Sequence, residues 1–447
     1  MASIKPSSNK NTIFVYHTTM DKELKRILII SYFFPPANIA GIFRVFSWAK
    51  YLNKFGWYPV IVTRTFNTNQ VDITDVIEKN ELTHEKNDSY EVYRLPYNRS
   101  LRDKLVAQSN KANNWFGKIL TLWEIFSSGF SNKWVPYNNL YDFADELLTK
   151  DKSFKCILVS GRPFLLFKFA YLLSKKHNIP RVVDYRDEWN THQWVTDETW
   201  RRRIINTFEN RREKKWVKGA ALVTTCSEEW SHRIGKFTNN KNVEVIYNGY
   251  DEDDFKNIVP KESDNFTIVH SGTLYATQNV KIFNEGLKLF RKKFPEVKII
   301  IQFPGITYSE DQTERVKEKF AWLGTENVII LDRIPKQELL SLMAGAKLLI
   351  MFGVEYGIRG HHSSKIFEYL RIRVPILLSP SDCDVMEDLI KETNTGVVGY
   401  SVKNVADLLE KIYFKKYEYA PYNAKVENYS RMSQAEKLAA KLDEYIK

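Results

Sequence analysis

The chain has 447 residues, 43% hydrophobic and 27% charged, a composition typical of a globular protein long enough for two domains. The formal net charge of +12 fits a phosphate-rich partner, but without a helix-turn-helix, zinc-finger or RNA-binding motif it does not indicate nucleic acid. Three cysteines without paired spacing argue against a disulfide framework and a structural zinc site, and no apolar run approaches the roughly 20 residues of a spanning helix.

The chain opens with a polar stretch and then a β-α-β pattern. Residues 1–24 lack the apolar core of a signal peptide, so we expect a loose extension. The continuous apolar run Arg26–Phe34 ends at two prolines and predicts a buried parallel strand. A loop, "PPANIAGIFR", leads into an amphipathic helix, "VFSWAKYLNKFG", that we expect to end at Gly56. The next strand is predicted in "YPVIVTRT".

Strand and helix patterns alternate through the rest of the chain and restart once. Further strands of the first run are predicted in "SFKCILVSG", "PRVVDYRDEW", "AALVTTCSEEW" and "VEVIYNGYDEDDF". Those of the second run are predicted in "NFTIVHSGTLY", "VKIIIQFPG", "NVIILDRI", "AKLLIMFG" and "VPILLSP". Two such runs predict two doubly wound α/β domains, each with a parallel sheet.

A polar segment without periodicity, residues 251–265, separates the two runs and marks the domain boundary. We therefore expect an extension over 1–24, a first Rossmann-like domain over 25–258 and a second over 262–424. Residues 425–447 predict a C-terminal helix whose packing partner the sequence does not specify.

The segment 113–148 interrupts the alternation with closely spaced aromatic residues, among them Trp115, Phe116 and Trp123. Its near-helical pattern favours a helix packed on the first domain. The alternative is an amphipathic surface that contacts an anionic membrane. Four lysines nearby fit that alternative: Lys104, Lys111, Lys118 and Lys133.

The stretch "HHSSKIFEYLRIRVPIL", residues 361–377, has the most specific chemistry. Ser363 and Ser364 suit a helix N-terminus, where their hydroxyls can accept from free amides. Such an end attracts anions, and Lys365 adds a full positive charge, so a diphosphate fits there. Glu368 lies one turn further, where a carboxylate can accept hydrogen bonds from a ribose diol. An ordinary capped helix explains the same residues equally well.

The same stretch resembles the donor-site motif of glycosyltransferase family 4, whose members are retaining sugar transferases of the GT-B fold. Further pieces occur in the order that this family uses: "ILIISYFFPPANIAGIFR", "LVSGRPF", "VVDYRDEW", "VEVIYNGYDEDDF" and "HSGTLY". The resemblance spans the chain from about Leu24. It implies an α/β GT-B fold with two Rossmann-like doubly wound domains facing a central cleft. It also implies transfer of a sugar from a nucleotide-diphosphate donor to a glycan or lipid-linked acceptor in bacterial surface polysaccharide or glycoconjugate assembly.

On this basis we expect one set of residues to bind the donor: Gly41, Gly272, Thr273, Arg359, Ser363, Ser364, Lys365 and Glu368. Asp184, Arg186 and Asp187 follow a strand at its carboxyl end, where α/β sheets place ligands. They are candidates to contact acceptor or sugar, or alternatively to form a local Arg-Asp pair. The full acceptor or sugar set is Arg44, Arg162, Asp184 and Arg186, and the catalytic set is Lys365, Arg186 and Asp187.

The sequence departs from the family at two places. Many members carry a glutamate eight positions before the one matching Glu368, and here Gly360 stands there. Many also have an arginine and a lysine after the "SGTLY" piece, where this chain offers only Lys281. Arg359 or Lys365 is expected to bind the diphosphate in place of the missing arginine and lysine. The sugar contact would come from a backbone amide or side chain near Gly360; Glu355 is a further candidate, at a different spacing.

The expected partners are a nucleotide-diphosphate sugar, a glycan or lipid-linked acceptor and an anionic membrane surface, without nucleic acid. No cofactor or metal is expected, because GT-B enzymes usually replace Mg²⁺ with helix ends and basic side chains. The expected location is cytoplasmic or peripheral on the inner membrane face. Rival interpretations are a GT-B nucleotide-sugar epimerase and a catalytically silent nucleotide-sugar-binding scaffold. A dinucleotide oxidoreductase ranks low, since no G-x-G-x-x-G follows the first strand.

Overall fold

A computed structural model describes residues 24–37, 40–66, 81–97, 135–191, 200–354, 359–417 and 424–446, with isolated positions at 123, 127 and 131. Its first sheet contains β1 (Lys25–Ser31), β2 (Trp57–Arg64), β3 (Thr83–Lys86), β4 (Glu91–Leu95), β5 (Phe154–Gly161), β6 (Arg181–Tyr185), β7 (Leu222–Thr225) and β8 (Val243–Val245). Its second sheet contains β9 (Phe266–Val269), β10 (Ile299–Pro304), β11 (Val328–Leu331), β12 (Leu348–Met351), β13 (Ile376–Leu378) and β14 (Gly396–Val398).

The helices alternate with these strands. In the first domain they are α1 (Phe43–Tyr51), α2 (Asn139–Lys150), α3 (Leu166–His177), α4 (Trp200–Val217) and α5 (Glu228–Thr238). In the second domain they are α6 (Lys281–Lys293), α7 (Glu310–Phe320), α8 (Lys336–Ala344), α9 (Lys365–Ile372), α10 (Val385–Thr393), α11 (Val402–Tyr413) and α12 (Ala424–Glu427). The chain closes with α13 (Arg431–Tyr445). Short 3-10 turns occur at Ala40–Ile42, Leu52–Phe55, Glu252–Phe255, Ile306–Tyr308, Ala321–Leu323 and Thr325–Asn327.

Both sheets are doubly wound. The first has the order β3-β4-β2-β1-β5-β6-β7-β8, and the second has the order β11-β10-β9-β12-β13-β14. In β1, Leu28 and Ile30 pack into one hydrophobic cluster while Ile27 and Ile29 pack into another, so both faces of the strand are covered. That burial is why the strand reads as an unbroken apolar run. The prediction of two parallel α/β domains is confirmed.

The sequence analysis missed the edge of the first sheet. Strand β3 pairs antiparallel with β4, from Thr83 opposite Arg94 to Lys86 opposite Glu91, and all of its residues are exposed. An exposed polar edge strand has no apolar alternation, so its pairing with β4 is not visible in the sequence. By contrast, the predicted end at Gly56 is confirmed, because this glycine has a φ of 87° immediately after the helical segment.

The C-terminal helix returns to the first domain. In α13, Ala435, Leu438 and Leu442 join the hydrophobic cluster that contains Trp57 and Ile29. The chain therefore crosses between the domains twice, and the two crossings run side by side. The Tyr250 amide donates to the Tyr429 carbonyl at 3.1 Å, and the Arg431 amide donates to the Tyr250 carbonyl at 2.7 Å.

The interrupting segment 113–148 is described only in part. Its last residues belong to α2, where Leu140, Ala144 and Leu148 are buried against the first core. Trp123 is 57% exposed. Trp115, Phe116 and the four nearby lysines lie outside the described residues, so the choice between a packed helix and a membrane surface stays a prediction there. Among the described residues, no helix has the length and apolar character needed to cross a membrane.

Candidate functional site

The carboxyl edges of the two sheets face each other, and the segment 359–362 of the second domain touches the first domain. From α5, the Trp230 indole donates to the Arg359 carbonyl at 3.0 Å and the Arg233 guanidinium donates to the same oxygen at 2.9 Å. Parallel α/β sheets bind ligands at this edge. The candidate site is therefore the cleft beside residues 359–362.

The predicted donor residues of the second domain come together at the start of α9. The Lys365 ammonium donates to the Thr273 carbonyl at 2.8 Å. Gly272 has a φ of 72°, and a Cβ on it would lie 3.1 Å from Lys365 Cε, so the backbone approaches the lysine closely there. Glu368 lies on the next turn of the same helix. We call Gly272, Thr273, Lys365 and Glu368 the Lys365 corner.

The charge of Lys365 is disfavoured by its surroundings. Its side chain is half-buried, and this burial lowers its pKa to about 7, with only Glu368 acting to raise it. Close to pH 7 the ammonium and the neutral amine are then of similar free energy. An anion bound beside Lys365 would favour the ammonium, so the corner is electrostatically prepared for a negatively charged ligand.

The prediction that serine hydroxyls cap α9 is wrong at Ser364. Ser364 is the N-cap residue, but its backbone is already helical and its side chain makes no capping hydrogen bond. The Ser363 carbonyl accepts from the Ile366 amide at 3.1 Å, which continues the helical pattern one residue outward. With no side chain capping this end, the first amides of α9 fit the predicted anion-binding role.

Glu368 has a partner that the sequence analysis missed. It forms an ion pair with Lys336, the first residue of α8, and its side chain is only 19% exposed. Thirty-two positions separate the two residues, and no local pattern joins them. The neighbouring Tyr369 hydroxyl accepts from the Ser271 amide at 2.9 Å, which fixes α9 against the loop that follows β9.

The structure explains why a glutamate is absent at position 360. Gly360 has a φ of 78°, and a Cβ there would lie 2.6 Å from Trp230 Cδ1 and 2.7 Å from Ser227 Oγ. Its amide also donates to the Asp384 carboxylate. A side chain at this position would collide with α5 of the first domain, because Trp230 and Ser227 already occupy the space. Glu355 lies outside the described residues.

Two predicted acceptor or sugar residues of the first domain bind each other. The Arg44 guanidinium pairs with Asp184 at 2.8 Å, and their side chains are only 2% and 0% exposed. Asp184 also accepts from the Ser160 and Thr224 hydroxyls, each at 2.7 Å. This pair is not the local Arg-Asp pair of the alternative, because the arginine comes from α1, 140 positions away. The geometry supports a structural role, and direct contact with an acceptor stays a prediction.

Four other predicted residues meet at the edge of the first sheet, which we call the Arg186 rim: Gly41, Arg162, Arg186 and Asp187. Arg186 pairs with Asp187 at 2.8 Å, and Arg162 lies 3.7 Å from the same carboxylate. A Cβ on Gly41 would fall 1.6 Å from Arg186 Nη1, so a side chain at this position would require the guanidinium to move. The structure places Gly41 beside Arg186, and its predicted contact with the donor stays a prediction.

The rim also faces the second domain. Burial lowers the pKa of His361, and the Asp187 carboxylate is the charge that acts to raise it. Arg359 is exposed two positions before this histidine, and Lys281 is exposed at the start of α6. The structure thus places a carboxylate of one domain near an imidazole of the other.

Two buried acids that the sequence analysis missed bond to residues next to the Arg186 rim. Glu188 accepts two hydrogen bonds from Arg233, and Glu213 of α4 accepts from the Tyr185 hydroxyl at 2.8 Å and the Asn190 amide group at 2.7 Å. Burial raises the pKa of each carboxyl to about 7. Within the part of the chain that the structure describes, no group of three or more His, Cys, Asp or Glu side chains is placed to hold a metal ion.

Residues 251–431 match the family model of the glycosyl transferases group 1. This range covers the second domain, the linker before it and the start of the return to the first domain. The comparison with curated proteins gave no match.

Solved structures resemble the chain over nearly its whole length. A glycosyltransferase from Rickettsia africae ESF-5 matches with a TM-score of 0.59 at 14% identity, over 94% of this chain and 98% of its own. Anabaena Alr3699/HepE in complex with UDP matches with 0.55 at 11% identity, over 94% and 100%. An alpha,alpha-trehalose-phosphate synthase (UDP-forming) from Burkholderia vietnamiensis matches with 0.56 at 10% identity, over 95% and 98%.

These findings define the class of protein by its fold and by the match of its second domain. The chain has the GT-B fold of glycosyltransferases, and its second domain carries the group 1 glycosyl transferase match. Membership of glycosyltransferase family 4 and a retaining mechanism stay predictions.

Proposed function

We propose that this protein transfers a sugar from a nucleoside-diphosphate donor to a glycan or lipid-linked acceptor, with retention at the anomeric carbon. The observation that carries the proposal is the Lys365 corner. An ammonium with a pKa of about 7 lies at the start of a helix, and a carboxylate follows one turn later. The group 1 match of the second domain and the UDP bound by a structural neighbour support this assignment.

In the proposed reaction the bond between the anomeric carbon and the diphosphate oxygen breaks, and negative charge develops on the leaving diphosphate. Lys365 and the first amides of α9 would stabilise that charge more strongly in the transition state than in the ground state. No metal is needed for this role, which a fixed cation and a helix end can supply. The acceptor hydroxyl would bond to the anomeric carbon on the face from which the diphosphate leaves, and its proton would pass to the leaving diphosphate oxygen.

Glu368 would accept hydrogen bonds from the ribose hydroxyls. Its ion pair with Lys336 fixes the carboxylate within the Lys365 corner, and a bound nucleotide would share or replace that contact. Lys336 is thus a positioning residue for the ribose and adds positive potential for the diphosphate. Across the cleft, Arg162, Arg186 and Asp187 are proposed to contact the acceptor or the transferred sugar, with Arg186 and Asp187 acting in catalysis.

A second candidate is a nucleotide-sugar-binding scaffold without transfer activity. The observation that favours it is Gly360, because α5 fills the space where many relatives carry a glutamate. A nucleotide-sugar epimerase is also tested by the experiment below, since it would convert the donor without an acceptor. For the transferase we propose a setting in bacterial surface polysaccharide or glycoconjugate assembly, in the cytoplasm or on the inner membrane face.

The test begins with thermal shifts of the full chain against UDP-, GDP-, dTDP- and CMP-sugars. The best donor is then incubated with and without acceptors, and the products are identified. We expect Glu368→Ala to weaken nucleotide binding severalfold or more, and Lys365→Ala to lower turnover more than binding. Lys292→Ala, an exposed lysine at the end of α6, is the control.

Transfer by both variants at the parent's rate would refute the placement of the site. Donor binding without any turnover across acceptors would favour the scaffold, and donor conversion without acceptor would favour the epimerase.

A further inference from the structure

The exposed face of α4 has an unusual composition. Among the α4 side chains that the structure describes, the exposed ones are basic, apolar or hydroxylic, and no carboxylate is among them. They are Arg203, Ile204, Thr207, Phe208, Arg211, Lys214 and Lys215. The two acids of the helix do not share this face, because Glu209 is half-buried and Glu213 is fully buried.

The apolar and basic side chains follow one another along the helix. Ile204 is 45% exposed and Phe208 is 40% exposed, and because they are four residues apart they lie on one side. Arg211 and Lys215 continue the same side one and two turns later, and Lys218 is exposed just beyond the helix. Eighteen residues of helix span about 27 Å, so this is an extended surface.

The fold decides where this surface points. Helix α4 connects β6 to β7, which are neighbouring parallel strands, so it runs antiparallel to them. Its first half, with Ile204 and Phe208, therefore lies at the carboxyl edge of the sheet. Glu213 ties the helix to Asn190 of the loop behind the Arg186 rim. The apolar pair is thus on the same edge of the first domain as the rim, and the basic half extends away from it.

We propose that the exposed face of α4 docks on an anionic lipid bilayer. The basic side chains would contact lipid headgroups, while Ile204 and Phe208 would enter the boundary between headgroups and acyl chains. A nucleic acid, or an acidic protein surface without an apolar pocket, would match the charge but would leave the two apolar side chains without an apolar environment. Docking in this orientation turns the edge with the Arg186 rim toward the membrane.

The orientation suggests the acceptor class. A lipid-linked acceptor carries its glycan at the membrane surface, so the docked first domain would receive it beside the rim. This last step rests on the proposed glycosyl transfer, whereas docking itself does not. Vesicle binding and transfer therefore test the two ideas separately.

The experiment measures sedimentation of the full chain with vesicles of phosphatidylcholine alone and of phosphatidylcholine mixed with phosphatidylglycerol. We expect binding only to the mixed vesicles. A triple change of Arg211, Lys214 and Lys215 to Gln should weaken it on the order of a hundredfold, since each basic residue near the surface contributes about fivefold. A double change of Ile204 and Phe208 to Ser should weaken it about tenfold.

The matched control changes three exposed lysines outside the first domain to Gln, namely Lys261, Lys292 and Lys298, which alters the net charge equally. It should bind like the parent, and circular dichroism should show that all variants are folded. Equal losses in the control would show that only net charge matters and would overturn the proposal. So would undiminished binding of the Ile204/Phe208 variant, because docking would then not involve insertion.

Discussion

The carboxyl edges of the two sheets hold their charged side chains in different ways. At the first sheet, Arg44 and Asp184 are buried and bonded to each other. At the second sheet, Lys365 is paired to a backbone carbonyl, and burial lowers its pKa to about 7. Charges that neutralise one another inside a protein hold its structure, whereas a cation kept in an unfavourable environment at a cleft is prepared for a ligand.

The largest effect expected from this comparison is on stability. Arg44→Met leaves the fully buried Asp184 without its counter-charge, so the free energy of unfolding should fall by about 3–5 kcal/mol. Denaturant titration measures this loss. Arg186→Met is the control, because its pair with Asp187 is partly exposed and should contribute at most about 1 kcal/mol. Equal losses in the two variants would remove the distinction between a buried pair and a rim pair.

The contact between the two regions gives the next effect. Gly360→Ala places a methyl group against Trp230 at a positive φ, and we expect a loss of about 2–4 kcal/mol from strain and crowding. Gly56→Ala is the matched control, since its φ is 87° and no atom lies within 4 Å of the added Cβ. The control should lose only about 1–2 kcal/mol. Thermal unfolding that shows no difference between the variants would contradict the close domain contact.

The lowered pKa of Lys365 predicts how nucleotide affinity depends on pH. Below pH 7 the free protein already carries the proton, whereas above pH 7 diphosphate binding must take up one. The affinity for UDP should therefore fall by up to about tenfold per pH unit above pH 7. Calorimetric titration measures it, and Lys365→Arg should flatten the profile because a guanidinium stays charged. A steep profile in both proteins would assign the titration to another group.

The smallest effect is expected for the partner of Glu368. Lys336→Met removes a half-exposed ion pair, so the free energy of unfolding should change by less than about 1 kcal/mol. The affinity for UDP should fall by about two- to fivefold, because the ribose carboxylate loses its neighbour and the corner loses positive potential. Binding and unfolding are measured on the same samples. A fall of several kcal/mol in the free energy of unfolding would show that this pair is structural, like the buried Arg44–Asp184 pair of the first domain.

The predictability of the fold differs between its parts. The buried strands of both sheets, such as β1 and β10, were predicted, because a strand covered on both faces is apolar throughout. The exposed edge strand β3 was missed, since it carries no such pattern. The return of α13 to the first domain was also unspecified, because one apolar helix face fits many surfaces.

The candidate site divides in the same manner. Lys365 and Glu368 lie within one turn of helix, so their spacing in the sequence already placed them together. The pairs Lys336–Glu368 and Arg44–Asp184 join residues that are 32 and 140 positions apart. Nothing local links such partners. The predicted serine cap failed for a different, local reason, because the backbone at Ser364 is already helical and no capping bond forms.

The sequence by itself determined two parallel α/β domains and the lysine and glutamate on one helix. These depend on periodicity and short spacing, which a linear chain displays directly. Only the tertiary structure decided which charges neutralise each other and why Gly360 has no room for a side chain. It also decided at which edge of the sheet α4 places Ile204 and Phe208. Those outcomes depend on contacts between distant segments, whose burial and distance are fixed only when the sheets pack and the domains meet.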